Sequence, residues 1–216
     1  MRILALDSSS PLLSCALWED GRTVAESLHS EKAGDVLPGA LLTLAALDSV
    51  DALACGIGPG SFTGLRVGLA SIKALAFARK LPIAGISSLR ALAVAARRPA
   101  ELLVPTLEAR RGELYACALR GSDLVQPEKV LRADELSGWL PAGAVVIGPG
   151  ARSVGFAVPD EPRAPSAAAV AELCAPVLRG ARYDEAACFA LSPNYLQPSS
   201  AEVALREGRV GKLPAT

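Results

Sequence analysis

Apolar runs at residues 3–6, 12–18 and 23–28 are separated by short polar stretches, and the pattern predicts three strands at the start of the chain. Glu19-Asp20-Gly21-Arg22, between the second and third, carries the Asp-Gly hairpin signal. Apolar spacing then changes to that of a helix over 35–47, where Asp35 can cap the start and Pro38 falls in the first turn. A strand at 52–57, a helix at 64–79, a strand at 83–86 and a helix at 88–97 follow.

The second half repeats this order. Strands are predicted at 102–107, 113–119 and 124–130, with Arg120-Gly121-Ser122-Asp123 as the turn between the last two. A short helix at 133–140, a strand at 144–147 and a helix at 167–178 complete the pattern. Two successive β-β-β-α-β-α units predict a duplicated α/β protein, a lobe at 1–101 and a smaller one at 102–216, joined near 99–103. A single continuous α/β sheet is the other reading. From Ser192 the chain is rich in Pro, Ser and Gly, and a surface tail is expected.

Two first-half helices carry more apolar surface than one sheet face requires. In 35–47, Leu37, Leu41 and Leu44 form one stripe, Val36, Ala40 and Leu47 another, and Leu42 with Ala46 widens it. In 64–79 the polar positions Arg66 and Lys73 leave a narrow wet stripe beside Leu65, Leu69 and Ile72. A helix on one sheet face needs a single apolar stripe, so these helices are expected to meet another subunit. Leu37, Leu41, Leu44, Leu65, Leu69, Ile72 and Lys73 are the expected contacts.

Charge narrows the partners. Lys and Arg total 22 against 22 Asp and Glu, so the chain lacks the broad positive field of an unaided nucleic-acid binder. At 51% hydrophobic and 4% aromatic content, the core must be built from Leu, Val, Ile and Ala. The five cysteines are scattered, odd in number, set among apolar residues and without a C-x-x-C pair, which predicts buried free thiols in a reducing cytosol. No apolar run approaches the roughly eighteen residues of a membrane span, and the expectation is a soluble cytoplasmic protein.

The residue inventory limits the chemistry. With His29 as the one histidine, a His-rich metal site is impossible within this chain, and no G-x-S-x-G elbow exists. His29 reads as a hydrogen-bonded strand-end side chain or, less simply, as a base. Gly56-Ile57-Gly58-Pro59-Gly60-Ser61-Phe62-Thr63-Gly64 joins a strand to a helix, where backbone N–H groups and the helix dipole can hold an anion, or glycines can let backbone pack closely. It fails the dinucleotide and P-loop signatures, since Thr63 stands at the third glycine and no Gly-Lys-Ser/Thr follows. Asp7-Ser8-Ser9-Ser10 ends the first strand. It is either a self-capped turn or a loop for magnesium and phosphate. Asp7, Ser8, Ser9, Gly58 and Gly60 are therefore the candidate nucleotide-binding residues. Glu108 to Tyr115 mixes both charges and reads as a solvated turn or as a patch in which Arg110 and Arg111 touch a partner or RNA.

Taken in order, Leu4-Ala5-Leu6-Asp7-Ser8-Ser9-Ser10, Gly58 to Arg66, Ile86 to Ala93, Ala109 to Glu113 and Pro193-Asn194-Tyr195-Leu196-Gln197 closely resemble the TsaB (YeaZ) family of bacteria, over almost the whole chain. The resemblance implies a fold like that of actin, sugar kinases and Hsp70, with two β-β-β-α-β-α lobes facing a cleft. It also implies a part in making N6-threonylcarbamoyladenosine, on the adenosine 3′ of the anticodon in tRNAs reading codons that begin with A. In that scheme a paralogous metalloprotein, TsaD, transfers threonylcarbamoyl from threonylcarbamoyl-adenylate, TsaB is its non-catalytic partner, and the ATPase TsaE joins them. Pairing, with TsaD or as a homodimer, is implied through the helices at 35–47 and 64–79, and tRNA is met only within the complex. TsaD-type proteins hold their metal with an H-x-x-x-H pair on the first helix, and the matching helix here has no histidine. The expectation is a scaffold or activator that needs no cofactor, with a residual weak affinity for nucleotide left open. An independent ATPase or small-molecule kinase of the same fold is the alternative.

Overall fold

The computed structural model describes residues 1–31, 33–45, 47–158, 162–206 and 208. Strands β1 (Arg2–Asp7), β2 (Leu13–Glu19) and β3 (Arg22–His29) come first. Asp20 and Gly21 turn β2 into β3 with positive φ at both residues, the backbone twist that an Asp-Gly hairpin supplies. Then follow α1 (Ala33–Leu44), β4 (Ala52–Gly56), α2 (Phe62–Arg79), β5 (Ile83–Ile86) and α3 (Ser88–Ala95). The sheet order is β3-β2-β1-β4-β5, antiparallel across the first three strands and parallel from β1 to β5.

The second sheet is made by β6 (Leu102–Glu108), β7 (Glu113–Arg120), β8 (Asp123–Arg132) and β9 (Val145–Ile147), with α4 (Leu136–Trp139) before β9 and α5 (Pro149–Ser153) after it. Its order, β8-β7-β6-β9, repeats that of the first four strands of the first sheet. The two sheets are separate, so the duplicated reading holds over the continuous one. Three helices complete the described chain: α6 (Ala167–Leu178), α7 (Glu185–Ala190) and α8 (Ser200–Arg206).

Side-chain alternation along the strands divides the first lobe into two cores. Leu4 and Leu6 of β1, Leu13, Cys15 and Leu17 of β2, and Leu53 and Cys55 of β4 face α1 and α2. Ile3, Ala5, Ala16, Ala52 and Ala54 face the other way, toward α6. The alanines leave little bulk on that face, and α6 meets it with Ala167, Ala168, Ala169, Ala171 and Ala175, so helix and sheet interlock at close range. Leu89 and Leu92 of α3 belong to the second lobe's core while Ala91 belongs to the first, which makes α3 the shared wall.

Two boundary expectations are corrected. The helix at 167–178 is not the closing element of the second lobe, because its apolar face is matched to the first sheet; the lobes are not split at 101/102 in space. Residues 192–199 are not a plain surface tail. Asn194, Leu196 and Gln197 are in contact with the second lobe, as described below; residues 207 and 209–216 lie outside the described residues.

Candidate functional site

The ends of β1, β4 and β5 meet at Asp7. Burial is complete, and the carboxylate is saturated from within: Ser9 donates to Oδ1 through both its backbone N–H (2.9 Å) and its hydroxyl (2.6 Å), and Ser88 Oγ donates to Oδ2 (2.6 Å). Burial raises the Asp7 pKa above 3.8, against the lowering effect of the bonds from Ser88 and Ser9. Ser88 Oγ in turn accepts from the N–H of Gly58 (3.1 Å), and Ser8 Oγ donates to the carbonyl of Gly64 (2.8 Å).

The glycines of the loop are explained by contact. A Cβ on Gly56 would lie 1.8 Å from Asp7 Oδ2, one on Gly60 2.2 Å from the Ser9 carbonyl, and one on Gly64 2.1 Å from the Ser8 carbonyl. Backbone lies on backbone here, and the Ser61 N–H donates to the Ser9 carbonyl at 2.7 Å. α2 starts two residues before the expected position because Ser61 caps it, accepting from the N–H of Gly64 at 3.2 Å. Gly58–Pro59 is a cis peptide. At this junction Asp7 and Ser9 are enclosed and bonded to each other, and Asp7 to Ser88, while a Cβ on Gly58 would meet Leu65 at 2.8 Å and one on Gly60 the Ser9 carbonyl. Ser8 and Gly60 reach the walls of two different pockets, of 360 and 170 Å³.

The second lobe carries a counterpart that the sequence reading missed. Gly148-Pro149-Gly150 leaves β9 as Gly58-Pro59-Gly60 leaves β4, and a Cβ on Gly148 or Gly150 would lie 2.5 Å from the carbonyl of Thr106 or Leu107, at the end of β6. Buried Thr106, two residues before the end of β6, donates to the Ile147 carbonyl (2.7 Å) and accepts from the Ala151 N–H (2.9 Å). The repeated Gly-Pro-Gly after each fourth strand was the available signal.

Between the lobes, the 170 Å³ pocket is bounded by Gly60, Glu108, Arg110, Tyr115, Asn194 and Gln197. Arg110 donates through a guanidinium nitrogen to the Pro198 carbonyl (2.6 Å), and Gln197 Nε2 donates to Glu113 Oε2 (2.6 Å). The charged turn at 108–115 thus holds the chain's own later segment. Arg111 is exposed at its tip.

The expected interface residues need correction. Leu37, Leu41, Leu65, Leu69 and Ile72 are buried in the core of the first lobe, and Leu44 packs against it. α1 lies on β2 and α2, and α2 lies between the sheet, α1 and α7, so apolar faces that look surplus in sequence are consumed internally. The Lys73 ammonium donates to the carbonyls of Phe189 (2.8 Å) and Leu191 (3.0 Å) at the end of α7, a cation on a helix C-terminus. α7 itself was missed; its signal was Asp184, which caps it through the Ala187 N–H.

What α2 does expose is another stripe. Arg66, Ala70 and Phe77 on α2, with Phe189 of α7 and Tyr195, border an apolar groove of 660 Å³ floored by Leu69 and Lys73. Phe77, Phe189 and Tyr195 remain 44%, 57% and 40% exposed. Arg66 stacks 3.9 Å over the Phe62 ring and donates to Tyr195 Oη at 3.1 Å, while Lys80 lies 4.1 Å over Phe77. Leu42, 60% exposed on α1, adds a further apolar side chain on the outside of the first lobe.

The metal attached by resemblance to the transferase paralogue does not fit here. His29 ends β3 with its Nε2 at 2.9 Å from Ser27 Oγ, α1 carries no histidine, and among the described residues no group of three or more His, Cys, Asp or Glu is placed to hold a metal ion. The five cysteines are buried free thiols; burial pushes Cys15 and Cys174 up to about 12 and Cys55 higher still. Among the described residues no helix is long and apolar enough to cross a membrane.

The family model for TsaD, tRNA N6-adenosine threonylcarbamoyltransferase, matches residues 23–151. The chain is 40% identical over 123 residues to the tRNA threonylcarbamoyladenosine biosynthesis protein TsaB of Escherichia coli, a match covering 53% of each. Thus the chain spans about half the length of the curated relatives of that name that it matches. An uncharacterized protein of Mycobacterium tuberculosis is 34% identical over 180 residues, 77% of this chain and 81% of that one. In structure, YeaZ from Pseudomonas aeruginosa superposes with a TM-score of 0.73 at 28% identity, over 90% of this chain and 99% of that one. The two-lobed α/β architecture expected from the sequence is the one the chain has.

Proposed function

The chain belongs to the TsaB family, and from that premise we propose that it serves tRNA threonylcarbamoyladenosine biosynthesis as a scaffold or activator that supplies no reacting group. In this reading a TsaD-type transferase moves threonylcarbamoyl from threonylcarbamoyl-adenylate to N6 of the adenosine 3′ of the anticodon. This chain docks on it, a TsaE-type ATPase joins them, and tRNA is met only in the complex. The same face supports a homodimer when the transferase is absent.

The observation that carries the reading is the closure of the strand-end junction. In an ATPase or kinase of this fold class, an aspartate at the end of β1 would have to face the cleft. Here Asp7 is fully buried with its oxygens taken by Ser9 and Ser88, and no metal-donor cluster replaces it among the described residues. The docking face is reassigned from the buried leucines to the groove beside α2, formed by Arg66 and Phe77 of α2, Phe189 of α7 and Tyr195. Aromatic residues and arginine are the types that dominate binding energy at interfaces.

Reconstitution tests it. The chain mixed with threonylcarbamoyl-adenylate, metal and tRNA is expected to leave the tRNA unmodified, and adding the TsaD paralogue with the TsaE ATPase is expected to start the reaction. Modification by this chain alone, or hydrolysis of ATP by it alone, overturns the scaffold reading in favour of an enzyme.

A further inference from the structure

Residues 191–199 touch two places at once. On one side Tyr195 stacks on Phe62 (5.0 Å between centroids) and accepts from Arg66, and the Leu191 carbonyl accepts from Lys73, so this part of the segment is a wall of the groove on α2. On the other side its neighbours grip both lobes. The Asn194 N–H donates to the Ile57 carbonyl (2.7 Å) at the end of β4, while Asn194 Nδ2 donates to Glu128 Oε2 (2.6 Å) on β8. The other oxygen of Glu128 accepts from Ser87 Oγ, the cap of α3, so one carboxylate ties the first lobe to the second through two routes. Leu196 packs against the core shared by α3 and the second sheet. Gln197 accepts from Tyr115 Oη (3.3 Å) and donates to Glu113, and the Pro198 carbonyl holds Arg110.

The alternation is the point. Asn194 and Leu196 face the junction of the lobes, and the Tyr195 ring between them lies on α2, bordering the groove and the 170 Å³ pocket alike. An adjacent pair of residues cannot respond independently: a shift of the Tyr195 ring along α2 moves the Asn194 and Leu196 backbone, and with it the hold on β7 and β8. We propose that residues 191–199 are a strap that makes the state of the α2 groove and the angle between the lobes a single coupled variable, so that whatever fills the groove sets the cleft. The direction of use, a docked partner adjusting the cleft, rests on the groove being the docking face; the coupling itself does not.

Hydrogen exchange read by mass spectrometry on the full chain, without any partner, tests the coupling. Tyr195→Ala removes the ring stacked on Phe62 and leaves the bonds of Asn194, Gln197 and Pro198 to the second lobe in place. It is expected to speed exchange in residues 113–116 and 126–132 of the second lobe by roughly fivefold or more, the lower end of ordinary coupling between sites. Gln197→Ala, on the cleft side, is expected to speed exchange in residues 189–195 and at the start of α2. Tyr195→Phe keeps the ring and deletes only the Arg66 hydrogen bond; it gives the same pattern at smaller amplitude and stands in if the alanine variant does not fold. Leu42→Ala, remote from the strap, leaves both regions unchanged. If the Tyr195 variants leave the second-lobe segments exchanging as in the native chain, there is no coupling and the proposal is overturned, while the docking reading stands. If coupling is present but groove substitutions leave partner binding unaltered, the docking reading fails alone.

Discussion

Ser88 Oγ donates to Asp7 Oδ2 at 2.6 Å, joining the first residue of α3 to the last residue of β1 across 81 positions of sequence. This bond, with the two from Ser9, closes the place where a cleft-facing carboxylate would otherwise stand. It also fixes the sign of a titration. Burial raises the Asp7 pKa above 3.8 in the folded chain, so between 3.8 and that raised value the folded state binds more protons than the unfolded one. The contribution of Asp7 to stability is therefore fully present below pH 3.8 and is lost as pH rises through the folded value. Asp7→Asn removes this titration while its carbonyl still accepts from Ser9. In urea unfolding over a pH series, native stability relative to Asp7→Asn is expected to fall as pH rises through the window. A difference that stays constant with pH shows that the hydrogen bonds balance burial, and one that rises with pH shows that they outweigh it.

Glycine substitutions separate packing from propensity. Gly64 lies with its Cβ direction 2.1 Å from the Ser8 carbonyl, a backbone atom that cannot rotate away. Gly64→Ala is expected to cost about 3 kcal/mol, at the upper end of ordinary overpacking. Gly39, exposed in α1, has open space where a Cβ would stand. Gly39→Ala is expected to gain about 0.5–1 kcal/mol from helix propensity. Thermal unfolding of both variants checks the pair; equal effects mean that the contact at Ser8 is relaxed at little cost.

The contrast between these glycines marks what the sequence could reveal. Strands and long helices were legible because each shows its own period: β1 and β4 as short apolar runs, α2 and α6 as helical stripes. The duplicated α/β organisation followed from the repeated order of elements, and the fold class was implied by the resemblance. The destination of α6 was not legible, because its match is a set of alanines on strands far away in sequence, Ala5, Ala16, Ala52 and Ala54. The interface residues were misplaced for a related reason. A wide apolar helix face reads the same whether a second subunit covers it or, as for Leu41 and Ile72, the chain's own sheet and neighbouring helices do. The strap was invisible locally, since Asn194 and Gln197 are 66 and 84 positions from their partners Glu128 and Glu113. The Asp7 junction was legible as a choice between two readings, whereas its bond to Ser88, 81 positions away, was not legible at all.

Thiol accessibility follows from burial. All five cysteines are free and buried, with Cys15 and Cys174 raised to about 12 by burial. A thiolate is the reactive form, so at pH 8 the folded protein is expected to be inert to an aromatic disulfide reagent and to react at every cysteine once unfolded in urea. Stoichiometric labelling of the native protein at any one of them means that the segment covering it opens readily.

The docking face can be separated from the core by where a charge is placed. Phe77 and Phe189 stand 44% and 57% exposed with their rings 5.8 Å apart across the groove, whereas Leu41 on α1 is 2% exposed. A carboxylate at Phe77 or Phe189 remains in water, and Phe77→Asp and Phe189→Asp are expected to keep the far-UV spectrum and unfolding cooperativity of the native chain. If the groove is the contact, each weakens assembly with the transferase by about thirtyfold, the loss expected for a central aromatic anchor worth about 2 kcal/mol. Leu41→Glu buries an unpaired carboxylate and is expected to unfold the first lobe, so loss of assembly in that variant says nothing about the contact. Light scattering of each folded variant, alone and with the transferase, makes the comparison. Native-like complex formation by the doubly substituted Phe77→Asp/Phe189→Asp chain would move the interface off this face, leaving the exposed side of α1 around Leu42 as the surface to test next.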